Sequence, residues 1–394
     1  MKQTRLIPIV LVFLFCGFPA TSFAKRFNVS LVTMYPGDKV FTSFGHVAIR
    51  IKDRIAGSDM AYDYGVYDST DPLLGYKFFR GTLKYYCSQK PFAKMFAWYS
   101  RDFGGMVEYG LNMTDREILG IQRQIMNDLS TDRGDYQYHH FHNNCSTKIR
   151  DIIDNALGGT LGTTKDTQVE RTYRDLIDAS MGSPALSLAR WIVFGLLNGE
   201  TDQKLSKWEQ MFLPWYLADE VKDIQHNGQP LVEYDRVLAG DRAGPPELPE
   251  FWPSLLLLFV TFLLFWWPVI VPRQRKLYSM ELFAIAGGLL PTYGMIMIAG
   301  MFISPYPELQ HNVLILVFSP LLYYLVPVGK SLWKQKTKGL LLLKCKLAIL
   351  GLLLVLDLTE SFDHKIWPYL LFAIILYSGV LLSLVRYRSV EGVK

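Results

Sequence analysis

Cysteine is scarce in this chain, with four in 394 residues, and no two of them stand in a C-x-x-C pair. No H-E-x-x-H occurs either, so the usual spacings of a zinc site are missing. There is no G-x-S-x-G, which removes the nucleophile elbow of a serine hydrolase. Residues 25–250 hold no basic tract interleaved with aromatics, so the net charge of +5 does not argue for nucleic acid. Charge as a whole is thin, at 20% against 50% hydrophobic residues, and the mean hydropathy is +0.15. That balance excludes disorder. Internal repeats and low-complexity tracts are absent as well.

What is there divides unevenly. The length suits two or three domain-sized units. Residues 25–250 read as a globular mixture, whereas residues 251–394 carry long apolar runs, which excludes a simple cytosolic enzyme. At the N-terminus Lys2 and Arg5 precede the apolar run 6–18 and then Ser22-Phe23-Ala24. This pattern predicts a secretory signal peptide over 1–24, cleaved after Ala24, with an uncleaved anchor helix as the alternative. Cys16 is no lipobox cysteine, because Phe15 stands where a small residue is needed.

Five apolar stretches, 253–271, 282–303, 312–328, 340–358 and 366–385, approach the roughly 20 residues that cross a bilayer. Lys344 and Lys346 make the fourth the weakest, unless they snorkel to the near interface. Arg273, Arg275 and Lys276 follow the first stretch; Lys330, Lys334, Lys336 and Lys338 follow the third; Arg386, Arg388 and Lys394 close the chain. The intervening loops hold no basic residue (304–311) or only Lys365. Positive loops stay in the cytoplasm. Residues 25–243 are thus expected outside it, joined by a linker over 244–252 to a five-helix membrane domain over 253–385, with a cytoplasmic tail over 386–394.

Within the exported part, alternation predicts strands over 27–34, 45–51, 60–67 and 106–112, with a hairpin loop at 53–58. A helix is expected over 91–99. Thr114 and Glu117 form a capping box that opens another, to about residue 129. Residues 144–157 make a short amphipathic helix, with Ile149, Ile152, Ile153 and Leu157 on one face and Gly158-Gly159 at its end. Residues 201–218 are expected to be partly helical.

The chemistry centres on Cys145, placed at the start of that amphipathic helix. Unpaired N–H groups and the positive helix end favour a thiolate there. Such a position lowers a cysteine pKa from about 8.5 to between roughly 3.5 and 7.5. The bland alternative is a disulfide between Cys145 and Cys87 in an oxidising compartment. A thiolate also needs a proton carrier. His46, held on a strand beside Gly45, is the best placed, and His139, His140 and His142 rival it by nearness in sequence. The cluster is a poor metal site for want of the usual spacings. A third group orients the imidazole. Asp63 or Tyr64 reaches it from the neighbouring strand; alternation allows only one, and Asp63 is preferred. His140, His142 and Asn144 are candidate substrate contacts.

A histidine on an early strand and a cysteine later at a helix start reverse the papain order. The arrangement resembles the circularly permuted NlpC/P60-like and lecithin:retinol acyltransferase-like thiol folds. More specifically, the chain resembles the Lnb-type lipoprotein N-acyltransferases. The resemblance lies in Phe44-Gly45-His46-Val47-Ala48-Ile49-Arg50-Ile51, Tyr62-Asp63-Tyr64-Gly65-Val66-Tyr67, Phe79-Arg80-Gly81-Thr82-Leu83-Lys84-Tyr85 and Tyr138-His139-His140-Phe141-His142-Asn143-Asn144-Cys145-Ser146-Thr147-Lys148-Ile149-Arg150-Asp151, together with the apolar C-terminal half. It implies an α+β exported domain of permuted papain-like fold on an all-α membrane domain, with His46 and Cys145 as the catalytic pair. Cys87 falls outside the motifs, which argues against a required disulfide. The implied activity needs no cofactor. It moves an acyl chain from a phospholipid, through a Cys145 thioester, to the N-terminal diacylglyceryl cysteine of a lipoprotein, at the periplasmic face of a bacterial inner membrane. The rivals are a membrane-tethered cysteine peptidase or amidase acting on cell-wall peptide, and a non-catalytic sensor or scaffold. A transporter is disfavoured because the apolar stretches have few buried charges, Asp357 and Glu360 lying near an interface.

The topology is testable with reporter fusions. A fusion at Gly244 is expected to report the exported side, and fusions at Lys338 and after Lys394 the cytoplasm; a cytoplasmic Gly244 overturns the assignment.

Overall fold

The computed structural model describes residues 25–130, 135–241, 258–264, 266, 275–319, 337–358 and 366–390. The expected signal peptide (1–24), the linker (244–252), most of the first apolar stretch, the third from residue 320 onward and the end of the tail lie outside the described residues.

The exported half is built on strands β1 (Phe27–Tyr35), β2 (His46–Asp53), β3 (Ser58–Val66), β4 (Lys84–Pro91), β5 (Gly105–Leu111) and the two-residue β6 (Tyr136–Gln137). Smaller pairs are β7 (Gln168–Thr172) with β8 (Lys204–Ser206) and β9 (Gln225–His226) with β10 (Gln229–Pro230), and a last strand, β11, covers Val232–Gly240. Seven strands form one sheet in the order β11-β5-β1-β2-β3-β4-β6, and every pairing in it is antiparallel. The helices of this half are α1 (Leu74–Phe79), α2 (Phe92–Tyr99), α3 (Asp115–Ser130), α4 (Cys145–Ala156), α5 (Tyr173–Ser180), α6 (Ser187–Leu196), α7 (Lys207–Gln210) and α8 (Pro214–Asp223).

Both faces of the sheet are covered. Leu31, Val47, Ile49 and Tyr64 join one core with Ile121 and Ile125 of α3, Ile149 and Ile153 of α4 and Leu217 and Val221 of α8. The intervening positions Val32, Ala48 and Ala61 face the other way and meet Met95 of α2, with Phe92, Phe96 and Tyr99 around it. Period-two alternation delivers both sets from the same strands. Each fully buried Ile or Leu contributes about 1.5–3 kcal/mol.

Four expected strands and three expected helices of this half are present within a residue or two. The other seven strands were not anticipated, β4 and β11 being the longest of them. β11 is an edge strand with bulges between Val232 and Tyr234 and between Val237 and Ala239, so its sequence does not alternate. β4 starts at Lys84 and runs into Pro91, and its exposed positions include Lys84 and Gln89, which hides its period.

In the C-terminal half, helices span Arg275–Ile303, Thr337–Leu358 and Trp367–Val390, over the expected stretches 282–303, 340–358 and 366–385. The expected third stretch opens as a 3-10 turn, Val313–Leu316, capped by Asn312. Leu314, Phe318, Leu350, Leu370 and Tyr377 share a second core there. Among the described residues, no helix is long and apolar enough to cross a membrane.

The two halves are joined by hydrogen bonds. Asn198, just after α6, donates its backbone N–H to the Glu308 carbonyl at 2.8 Å and its side-chain amide to the Pro307 carbonyl at 2.7 Å. The Tyr306 hydroxyl donates to the Tyr138 carbonyl at 3.1 Å. Gly81, at φ +63°, lets this loop approach, since a Cβ there would lie 2.6 Å from Pro305 Cγ.

Asn144 starts α4. Its Oδ1 accepts the N–H groups of Ser146 and Thr147, both at 2.9 Å, and the Thr147 hydroxyl accepts the Asn144 N–H in return. Its amide donates to the carbonyls of His140 and Phe212. Buried and fully engaged, Asn144 is a cap and a tie between segments. Asn144→Ala is expected to lower stability by about 1–2 kcal/mol through loss of the cap alone. Thermal unfolding of the purified full chain checks this; an unchanged midpoint contradicts it.

Candidate active site

Cys145 is the first residue of α4, where the chain turns from the extended Asn144 into the helix. The cap uses the N–H groups of Ser146 and Thr147. The Cys145 N–H is left as the first-turn donor with no acceptor among the described residues, beside its own side chain. Cys145 and Cys87 are both free thiols, so the alternative of a disulfide between them is not what the structure contains.

His46 opens β2 directly after Gly45, whose φ of +66° suits glycine alone; a Cβ there would meet the Met34 carbonyl oxygen at 2.5 Å. The imidazole sits against the rings of Tyr99 and Phe103, with centroids at 5.2 and 6.3 Å. Its Nε2 lies 3.2 Å from Asp63 Oδ2. Asp63 is completely buried and also accepts from Ser88 Oγ, from Lys90 Nζ at 3.3 Å and from the Tyr99 hydroxyl at 2.6 Å. Burial opposes the carboxylate, but His46, Lys90 and Ser88 outweigh it and hold the Asp63 pKa well below its usual range. Tyr64 points to the other face and donates to Asp128 at 2.6 Å.

The imidazole is also within electrostatic reach of the Cys145 side chain. Burial alone lowers the His46 pKa; the charge on Cys145 and the Asp63 bond overcome it and raise it to about 10. The sheet face that carries His46 is the α2 face, whereas α4 packs on the opposite one. The two side chains meet at the end of the sheet, where β2 begins and β3 bulges between Asp63 and Val66. Gly65 lies in that bulge at φ +86°, and its hypothetical Cβ would be 3.4 Å from Cys145 Cβ. A Cβ there would make ordinary contact only; the left-handed φ is what reserves the position for glycine, a role visible in the sequence only as a glycine inside a strand.

Two family models match this chain. The Lnb N-terminal periplasmic domain covers residues 18–179, and the Lnb transmembrane domain covers residues 249–388. The chain belongs to the Lnb family. Neither the curated proteins nor the solved structures searched contain a significant match. Membership gives the chain a periplasmic domain followed by a transmembrane domain, and points to a lipoprotein-related membrane enzyme. His46, Asp63 and Cys145 all lie in the matched periplasmic domain, and the loop that touches Tyr138 lies in the matched transmembrane domain.

Three histidines precede the thiol of this Lnb chain. His140 packs against Phe78, Tyr138 and Tyr306. His139 lies 3.9 Å from Glu308 and 4.6 Å, ring to ring, from His142. Burial first, and then a neighbouring imidazole, push His139 and His140 each down to about 4, while burial pushes Glu308 up. His139 and Glu308 are therefore no ion pair, and neither of these two histidines is protonated at neutral pH. His142 is the exposed member. A cavity of about 260 Å³ opens between this segment and the loop, lined by Gln137, Tyr138, His139, Asn143, Pro305 and Tyr306. It contains neither Cys145 nor His46, and Tyr138 is the residue it shares with the surroundings of the thiol. Among the described residues no group of histidine, cysteine or acidic side chains is placed to hold a metal.

The raised His46 pKa fixes a sign. Its protonation stabilises the fold fully below the ordinary value of about 6.5, and that contribution is lost as pH rises toward about 10. His46→Ala is expected to slow iodoacetamide alkylation of Cys145 at neutral pH, with the difference closing as pH rises through about 10. His142→Ala is expected to leave the rate unchanged. Cys87, buried and pushed up to about 12, is expected to stay unlabelled. Peptide mapping of the labelled protein checks all three; a rate that ignores His46 and follows His142 refutes the pairing.

Proposed function

We propose that the chain is a membrane-bound thiol acyltransferase that moves an acyl chain from a phospholipid to the α-amine of a lipoprotein's diacylglyceryl cysteine. The observation that carries this reading is His46, oriented by the buried Asp63 and within electrostatic reach of the Cys145 thiol, in a chain of Lnb membership. The fold is taken to be the permuted papain-like one, supported by the chain order His46, Asp63, Cys145 and by a thiol at the start of a helix packed on an antiparallel sheet. Five spans and a cytoplasmic C-terminus belong to the same proposal, on the charge of the loops.

In the first step thiolate Cys145 attacks the ester carbonyl, and the carbonyl oxygen becomes an oxyanion. Two donors are placed to receive it. One is the Cys145 N–H. The other is the Tyr136 hydroxyl, whose O–H is buried with no acceptor among the described residues and lies 3.8 Å from where a Gly65 Cβ would stand. Burial first, and then the charge on Cys145, keep that hydroxyl protonated. An orphaned buried hydroxyl costs about 1–3 kcal/mol unless something fills it, and an oxyanion does. The intermediate collapses as His46 protonates the glycerol oxygen, leaving a lysophospholipid and a Cys145 thioester. The lipoprotein amine then attacks the thioester, His46 takes its proton, and the thiolate departs. His140 and His142 remain the proposed substrate contacts, since both lie on the segment that leads into Cys145.

Cys145→Ala is expected to abolish N-acylation while membrane insertion continues. Mass spectrometry of lipoprotein N-termini, with and without the active protein, checks it. Retained N-acylation refutes the thioester route, and cleaved cell-wall peptide in its place favours the peptidase.

Tyr136→Phe is expected to slow acyl transfer by about 10²–10³, the cost of one oxyanion donor. Alkylation by iodoacetamide, which develops no oxyanion, should be unchanged. An unchanged transfer rate removes Tyr136 from the mechanism.

A further inference from the structure

Helix α6 has one face that belongs to neither core. Pro184 and Ala185 at its approach and Leu188 and Ile192 within it are exposed, Leu188 at 68% and Ile192 at 37%. Their spacing puts them along one side of the helix. No charge interrupts this stripe; Arg190 is turned away and paired with Asp178.

The remainder of α6 is committed to the C-terminal half. Trp191 packs on the rings of Tyr369 and Phe372, with centroids at 4.8 and 5.2 Å. The hydroxyls of Tyr369 and Tyr293 donate to the carbonyls of Trp191 and Ile192, both at 2.7 Å. The Asn312 amide donates to the Gly195 carbonyl at 2.9 Å. Gly195 allows this approach, because a Cβ there would stand 2.4 Å from the Tyr293 hydroxyl.

Depth follows from the same contacts. Tyr293 lies ten residues before the end of its helix at Ile303, roughly 15 Å along the axis. Tyr369, which α6 also engages, lies two residues after the start of its own helix at Trp367, so α6 runs alongside the loop-side portions of two helices of the transmembrane domain. A wholly apolar stripe at that level, continuous with a surface already bound to the transmembrane domain, matches the boundary between headgroups and acyl chains.

We infer that α6 is an interfacial anchor whose Pro184–Leu188–Ile192 face lies in the outer leaflet and binds phospholipid. It connects to the thiol. The Arg174 guanidinium donates to the carbonyls of Phe194, Leu197 and Asn198 at the end of α6. Asn198 holds the loop at Pro307, and Tyr306 of that loop holds Tyr138 beside Cys145. The anchor thus sets the height of the thiol over the leaflet that holds its acyl donor. Only this last consequence rests on the acyltransferase reading.

The test uses the full-length protein in vesicles of phosphatidylethanolamine and phosphatidylglycerol. A photoreactive benzophenone side chain is placed at position 188 or 192, with Glu170, exposed on the periplasmic domain, as the control site. Crosslinks to phospholipid are expected at 188 and 192 and not at 170. Protein–protein crosslinks at 188 and 192 would assign the face to a second copy and overturn the proposal, as would no excess of lipid over the control. The same crosslinks in a Cys145→Ala background would keep the anchor even if acyl transfer proves wrong. L188D/I192D is expected to lose at least tenfold in transfer from vesicle phospholipid while Cys145 alkylation is unchanged. Full transfer, or an equal loss of alkylation, overturns the link from anchor to site.

Discussion

A buried carboxylate organises the thiol-bearing end of this molecule. Asp63 is withdrawn from water, and a lone carboxylate in that position would cost several kcal/mol. Four donors from three elements offset the cost: Ser88 and Lys90 of β4, Tyr99 of α2 and His46 at the start of β2. The charge can remain buried only while these elements stay in register. The same network fixes the His46 ring, and together with the nearby Cys145 charge it leaves the imidazole with a raised pKa whereas burial alone would lower it. Stability and the chemistry of the dyad therefore depend on the same contacts.

The thiol side rests on a different device. The Asn144 cap fixes where α4 begins and ties that point to His140 and Phe212. The bulge at Gly65 brings β3 to ordinary contact with Cys145 without a side chain in between. A helix on one face of the sheet and a histidine on the other can then meet only past the sheet's end, where the strands cease to separate them. That is why two backbone conformations reserved for glycine, at Gly45 and Gly65, flank the site.

The two halves are coupled through polar contacts to backbone. Asn198, Asn312, Tyr293, Tyr306 and Tyr369 each donate to a carbonyl of the other half. Such bonds fix position and orientation more than they drive association. They suit a catalytic domain that must be held at a set height and angle over a surface.

Local pattern alone was enough for much of this protein. The alternating strands around His46 and Asp63, the amphipathic helix behind Cys145, the capping box at Thr114 and the glycine stop at Gly158-Gly159 are each written within one or two turns of chain. Periodicity and capping act over that distance, so the thiol and its leading histidine were legible, as was the division into a globular and an apolar half. The choice of Asp63 over Tyr64 was half legible: alternation said that only one could face His46, and the surroundings decided which. Other features had no local signature. β11 joins the sheet through pairing with a strand more than a hundred residues earlier. Asn144 reads as a polar neighbour of a nucleophile until Phe212 is seen to bind it. The neutral state of His139 and His140 comes from burial by Phe78 and the loop at Tyr306, and the contact of α6 with the apolar half joins residues about a hundred or more positions apart. Short-range order was set by the sequence itself; which buried groups became partners was decided only when folding removed water and brought distant segments within bonding distance.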